Sequence, residues 1–410
     1  MEFCPIKNGA GWFSSVFVGC FMKKQLSAIA LLAGTAIGSG MLSLPLVLAR
    51  YGIVFSCVMM CAFIWVAYYS SIIRTELNIY SYSSYAIKDV GLHFSGKIAS
   101  QIGNVSLKLL SYSLIAAYLH GLASLIRVFI DVNISILIVS ISGIIMLLLF
   151  FSNSLISKIN KTLFVFLISA FVAVTLGLLI KSGIDTLSVP NGKNITLGSF
   201  ATALPIIFTS FGFQGSLHSL TKFVNNDRKI IKKACLFGSI IPAIVYILWI
   251  CSTILIIYNN NPTFFARMVS ESVDISEMIS CLTHVADMQY LRGMFWIISL
   301  LALLTSIIGV GIAVFDDWSQ KLTKAQSAVI SVIPSALVAI FVPNAFIKIL
   351  GLSGMILVVL AIFLPVFLYV KMEKRFANLK IDKTRSIGLI ILTIVGGAIF
   401  GAGILELLWN

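Results

Sequence analysis

Acidic side chains are scarce in this chain: fifteen Asp and Glu stand against twenty-nine Lys and Arg in 410 residues. Histidine is rarer still, at four. His93 and His284 fall between apolar runs, while His120 and His218 lie near the ends of two of them, so no metal or catalytic set forms. With almost no carboxylate inside the apolar runs, chemistry within a membrane would lack its general acid and base, and an enzyme is excluded. The seven cysteines contain no CxxC pair. Cys20, Cys57, Cys61, Cys235 and Cys251 lie in or beside apolar runs and read as small buried hydrophobes, neither a disulfide framework nor a zinc site. No catalytic residue, metal or cofactor is therefore expected. No loop is long enough for a soluble output domain, which speaks against a sensor, and no repeated polar face runs along the apolar stretches as a channel would need.

The formal charge of +14 raises nucleic acid as a partner. The basic residues, however, sit in short clusters between hydrophobic runs and are not interleaved with aromatics, so nucleic-acid binding is excluded. What the chain has in excess is apolar surface, at 59% hydrophobic residues. Eleven runs approach the roughly 20 residues a bilayer requires: 25–49, 53–73, 103–127, 133–152, 160–180, 200–219, 234–257, 293–315, 326–342, 345–370 and 386–408. An all-α integral membrane protein follows, with residues 1–22 as an N-terminal cytoplasmic segment and 23–410 as a single transmembrane domain. "WFSSVFVGCF" at 12–21 lacks the cleavage site of a signal peptide and is followed at once by Lys23 and Lys24. Met22, opening "MKKQLSAIALLAG", is an alternative start.

Loop charge tests the count. With eleven spans, twenty-one Lys and Arg fall on one side and seven on the other: Arg50, Arg127, Lys181, Lys193, Arg267, Arg292 and Lys348. The positive-inside rule then places the N-terminus in the cytoplasm and the C-terminus outside. The external segment 258–292 carries Glu271, Asp274, Glu277 and Asp287 and reads as a solvated acidic cap.

Two runs carry signals against an unbroken helix. "LLAGTAIGSGMLSLP" (31–45) belongs to a run that, fully helical over 25–50, would extend about 39 Å at 1.5 Å per residue, beyond the ~30 Å hydrocarbon core. Gly34, Gly38 and Gly40 each weaken a helix by about 1 kcal/mol relative to Ala, and Pro45 removes a backbone donor. A small-residue packing face would explain these glycines alone. The sixth run repeats the pattern, however: "ALPIIFTSFGFQGSLHSL" (203–220) sets Pro205, Gly212 and Gly215 around Thr209, Ser210 and Gln214. Interruptions in runs one and six are expected of two inverted five-span repeats, near 25–180 and 200–370, followed by an extra helix at 386–408.

An unwound stretch exposes amides and carbonyls that lipid cannot satisfy, so they must line a protein-buried site. Where the second half-helix starts, Gly38, Ser39 and Gly40 offer N–H groups and the positive end of a helix dipole to a carboxylate. Carbonyls over 208–212, including that of Gly212, offer acceptors to an ammonium, and Ser39 and Ser210 add hydroxyls. Together these suit a zwitterionic amino acid. Phe208, Phe211 and Phe213, with Tyr112 and Tyr118 of the third run, suggest an aromatic-lined cavity.

At these residues the chain resembles the bacterial hydroxy and aromatic amino acid permeases of the amino acid, polyamine and organocation superfamily. The resemblance rests on "AGTAIGSGMLSLP", "LPIIFTSFGFQGSLHSLTKF", "GSIIPAIVYILW", "IGVGIAVFDDW" and "FVPNAFIKILGLSGMILVVLAIFLP", in order from Met22. It implies a leucine-transporter-like fold of 5+5 inverted repeats with helices 1 and 6 broken. It further implies import of tyrosine, tryptophan or phenylalanine with protons across the bacterial inner membrane. By the same likeness Gly38, Ser39 and Gly40 meet the substrate carboxylate, and Phe208, Thr209 and Phe211 the amino group and an aromatic gate. The alternative is a symporter for another neutral amino acid such as serine or threonine, coupled to sodium. Lys108, about one turn inside the third run, either snorkels to the interface or takes the place of a coupling cation. Thr305 and Ser306 are the other coupling-ion candidates. Asp316 and Asp317 are expected to cap span eight, within reach of Lys222 or Lys321. The oligomeric state is open.

Overall fold

The computed structural model describes residues 12–38, 40–81, 86–151, 153–182, 197–270, 273–285, 289–342, 345–376 and 383–409. All regular structure among them is helical. In order, the helices are α1 (Trp12–Ala36), α2 (Gly40–Leu48), α3 (Gly52–Tyr80), α4 (Ile87–Ser95), α5 (Lys97–Arg127), α6 (Ile134–Leu149), α7 (Asn153–Ser182), α8 (Leu197–Ser210) and α9 (Leu217–Phe223). They continue as α10 (Arg228–Asn260), α11 (Pro262–Ser270), α12 (Ile275–Val285), α13 (Gln289–Ser319), α14 (Lys324–Phe341), α15 (Ala345–Val358), α16 (Leu364–Arg375) and α17 (Lys383–Trp409). A π-helical turn, Val359–Phe363, joins α15 to α16 ahead of Pro365.

Among the described residues nine stretches are long and apolar enough to cross a membrane, the first running from Gly40 to Tyr80 through α2 and α3. The run expected at 25–49 does not stand among them as one helix, because it is split between Ala36 and Gly40. The run expected at 133–152 forms α6, whose 16 residues rise only about 24 Å. Helices also begin earlier than hydropathy suggested, α1 at Trp12 and α7 at Asn153.

The outer helices turn large apolar residues away from the protein: Val54 and Val58 on α3, Val139 and Leu147 on α6, Phe166 and Leu176 on α7, Ile390 and Ile394 on α17. In water such faces would be costly; in lipid they are at home. The interior centres on α5, which packs on α15, α13, α14, α4 and α6. Buried hydroxyls are mostly satisfied on their own helix by the carbonyl three or four residues back, as at Ser56, Thr75, Ser239 and Thr253. Among the described residues Ser142, Thr175 and the Trp249 indole N–H are exceptions, buried without a hydrogen-bond partner.

Two expectations about loops change. Arg74, assigned to a loop by hydropathy, lies inside α3 and is buried. The segment expected to lie outside forms α11 and α12: Asp274 caps α12 through the Ile275 amide and accepts the Ser124 hydroxyl of α5 at 2.5 Å, and Glu277 pairs with Arg267 at 2.8 Å. Glu277 stays exposed, as a solvated cap would have it, while Asp274 is half-buried. Glu271 and Asp287 lie outside the described residues.

Candidate binding site at two helix breaks

The first break is short. Ile37 still donates to the Ala33 carbonyl at 3.0 Å, and Met41 donates to the Gly38 carbonyl at 3.1 Å, so the chain turns once and α2 begins. Met41, the second residue of α2, is thus already bonded, and the Gly38 amide meets the Tyr246 side chain. Ser39, expected to contact a carboxylate here, lies outside the described residues.

The second break is a sequence of tight turns. Phe211 donates to the Phe208 carbonyl (3.1 Å), Gly212 to Thr209 (2.9 Å) and Phe213 to Phe211 (2.9 Å), after which the 3₁₀ turn Phe213–Ser216 leads into α9. A side chain at 212 would put its Cβ 2.7 Å from the Thr209 carbonyl oxygen, so the turn requires glycine. The carbonyls of Phe208, Thr209 and Phe211, expected to be free for an ammonium, therefore each hold one internal donor, and what they offer a ligand is the second lone pair.

The two breaks touch. A Cβ on Gly40 would lie 2.7 Å from both Cβ and Oγ of Ser210 and 2.9 Å from Oη of Tyr246. Tyr246, fully buried on α10, places its hydroxyl 2.7 Å from the Ala36 carbonyl and 2.9 Å from the Ser210 carbonyl. One phenol thus spans the last carbonyl of each upstream half-helix. Tyr118 interacts electrostatically with it, and Phe211 meets its ring edge-on at 6.1 Å and 88°. A Cβ on Gly38 would collide with the Ser306 hydroxyl of α13, which itself donates to Ala302 at 2.8 Å. Gly38, Gly40, Ser210, Phe211, Tyr118, Tyr246 and Ser306 consequently form one constellation drawn from five elements.

Other expected residues point elsewhere. Phe208 is buried against Phe63 of α3, ring centroids 6.3 Å apart. The Thr209 hydroxyl lies 2.8 Å from the Pro205 carbonyl and 3.2 Å from that of Leu350, where Gly354 of α15 brings its backbone so close that a Cβ would run into the Pro205 carbonyl. Thr305 bonds the Ala302 carbonyl of its own helix at 3.2 Å.

Lys108 and Tyr112 share a separate cluster one helix turn apart on α5. The Lys108 ammonium is 3.1 Å from an Asp317 oxygen and 3.7 Å from the centre of the Trp318 ring, while Trp318 donates its indole N–H to the Tyr112 hydroxyl at 2.8 Å. Lys108 therefore joins α5 to α13 by an ion pair and a cation–π contact instead of reaching for the interface. Asp317's partner is this lysine, where the sequence pointed to Lys222 or Lys321. Helix ends are poor guides here: α13 continues to Ser319, which turns Asp317 inward towards α5.

Beyond the second break the buried surface stays polar. Gln214 donates to the Ser70 hydroxyl at 2.8 Å and Asn78 to that of Thr221 at 3.3 Å, while the amide oxygen of each is buried without a hydrogen-bond partner. These are acceptors available to water or a passing ligand. Among the described residues no group of three or more His, Cys, Asp or Glu could hold a metal ion.

Sequence reasoning missed Tyr246 and Gly354. A signal existed for the first: a buried tyrosine in an apolar helix must place its hydroxyl on some acceptor, and "VYILW" offers none locally beyond its own helix.

Residues 22–404 match the sequence model of the tryptophan/tyrosine permease family. Similar proteins include the tyrosine-specific transport system 1 of Haemophilus influenzae, 29% identical over 87% of this chain and 90% of its own length. The glutamine transporter 2 of Aliivibrio fischeri is 30% identical over 86% of this chain and 90% of its own length. The tryptophan-specific transport protein of H. influenzae is 25% identical over 86% and 88%.

Proposed function

The chain belongs to the tryptophan/tyrosine permease family, a family of transporters rather than enzymes, and from that premise we propose that it imports aromatic amino acids by proton symport with alternating access. The observation that carries this reading is the contact between the two helix breaks, which sets the amide end of α2 beside the carbonyl end of α8. An amino acid binds there with its carboxylate at Gly38–Gly40 and its ammonium on the remaining lone pairs of the α8 carbonyls. Phe211, Tyr118 and Tyr246 supply aromatic surface to its side chain.

In this reading the protein sits in the inner membrane with eleven spans, α1 and α2 forming the first and α8 and α9 the sixth, the N-terminus cytoplasmic and the C-terminus external. The packing is compatible with exchange of the first five spans for the second five. The third span (α5) packs on the tenth (α15), and the eighth (α13) packs on the fifth (α7); likewise α1 packs on α10, and α9 on α3. Gln214, Asn78, Arg74 and His218 line the inward side, where a released substrate would need polar company.

A second reading has a specific observation behind it: the relative described as a glutamine transporter is as similar as the first tyrosine transporter. A neutral polar amino acid, carried with protons or sodium, is its content. Uptake of radiolabelled tyrosine into proteoliposomes, with imposed proton or sodium gradients and competing tryptophan, phenylalanine, glutamine or serine, separates the two. Tyrosine uptake under a proton gradient alone, competed by the other aromatics, is expected; no tyrosine uptake in vesicles that do take up labelled glutamine or serine would overturn the aromatic assignment.

A further inference from the structure

On the Lys- and Arg-rich side of the helices, α3, α10 and α17 enclose a cavity of about 140 Å³ lined by Ile72, Thr75, Glu76, Tyr80, Arg228, Ile231, Lys232 and Arg385, among others. At ~30 Å³ per liquid water it has room for four or five waters, or for one compact polar headgroup. Its charges are unequal: three cations and one carboxylate face it. Glu76 is already engaged, pairing with Arg385 and accepting the Tyr369 hydroxyl at 2.8 Å. The guanidinium of Arg228 lies 5.2 Å from the centre of the Tyr80 ring, and Lys232 follows one turn later on the same face of α10. Among the lining side chains cations thus outnumber carboxylates, around a small space whose other walls are isoleucine, threonine and tyrosine.

We propose that this cavity binds a phosphate-bearing anion, either the headgroup of an anionic phospholipid or inorganic phosphate. The geometry suits that chemistry. Arginine presents a planar fork that matches phosphate oxygens, and lysine adds a point charge. A basic pocket between membrane helices at the cytoplasmic surface also lies at the depth where lipid phosphates sit. An occupant there bridges α3, α10 and α17. The site shares no lining residue with the helix breaks and is independent of which amino acid is carried.

The test is thermal unfolding of the purified full-length chain in a neutral detergent, followed by tryptophan fluorescence, with three additions at matched ionic strength: short-chain phosphatidylglycerol, phosphatidylcholine of the same chain length, and sodium phosphate. Phosphatidylglycerol is expected to raise the midpoint in a saturable way, and phosphatidylcholine to leave it unmoved. A saturable rise with sodium phosphate as well assigns a free anion; a rise with phosphatidylglycerol alone assigns a lipid. The R228Q/K232Q variant should lose the rise. K229Q/K233Q, which removes the same charge from neighbouring positions of α10 that do not line the cavity, should keep it. Lys232→Gln alone replaces an exposed side chain that folding does not need and is expected to shrink the rise. An equal rise with phosphatidylcholine, or an undiminished rise in R228Q/K232Q or K232Q, overturns the proposal.

Discussion

Tyr246 is the residue on which the candidate site turns. Its hydroxyl is within bonding distance of a carbonyl from each interrupted span, and it can donate its one proton to only one of them at a time, so it is suited to passing between them as the half-helices move. Tyr246→Phe leaves one buried carbonyl at a time short of a donor, at about 1–3 kcal/mol, and uptake is expected to fall roughly tenfold or more at unchanged membrane abundance; the measurement is initial-rate uptake normalised to immunoblotted protein. Gly38 and Gly40 are constrained by different neighbours. Gly38→Val and Gly40→Val should both abolish uptake, and uptake at the native rate by Gly38→Val would sink the site. Gly38→Ala should be partly rescued by Ser306→Ala, which removes the hydroxyl a Cβ would strike, whereas Gly40→Ala should not. These glycines were legible in the sequence as helix weaknesses. The wedge against each was not, because Ser306 and Tyr246 stand more than 200 residues away.

Among the elements, α5 and α13 carry the clearest claim. Lys108 and Asp317 pair across them under Trp318 and Tyr112, which makes the cluster a clamp between the third and eighth spans. Lys108→Gln and Asp317→Asn should each slow transport by leaving a half-buried charge without its partner. The reversal Lys108→Asp with Asp317→Lys should restore a substantial part. If Lys108 instead stands in for a coupling cation, the reversal will not rescue, and the proton dependence of uptake will change; a double-mutant cycle on uptake rates distinguishes the two. The sequence set Lys108 about one turn inside its span and Asp317 as a cap near Lys222 or Lys321, whereas Lys108 lies eleven residues into α5 and pairs with Asp317 within α13. Hydropathy ends a helix where charge begins, and α13 runs on past that point to Ser319.

For the whole molecule, side and count are the testable quantities. Single cysteines introduced at Lys374 and Arg267, in a background lacking the native cysteines, should react with a membrane-impermeant maleimide from opposite faces: 267 in intact cells, 374 only after permeabilisation. Labelling of both from the same side would refute the eleven-span arrangement. Uptake should collapse with a protonophore in sodium-free buffer; uptake that followed sodium and ignored the proton gradient would assign the other coupling ion.

Composition and periodicity alone determined that this chain lives in lipid, where most of its long apolar helices lie, and that the stretches around Gly38 and Gly212 are interrupted. Those are local properties, set by how far an apolar run extends and by where glycine and proline weaken hydrogen bonding along it. Only the tertiary structure decided that Tyr246 joins the two breaks, that Thr209 serves packing against α15, that Lys108 answers Asp317, and that Arg228, Lys232 and Arg385 surround one cavity. Each of these pairs groups from distant parts of the chain. Helical periodicity says which face a side chain occupies, but its partner depends on which helix is packed against that face.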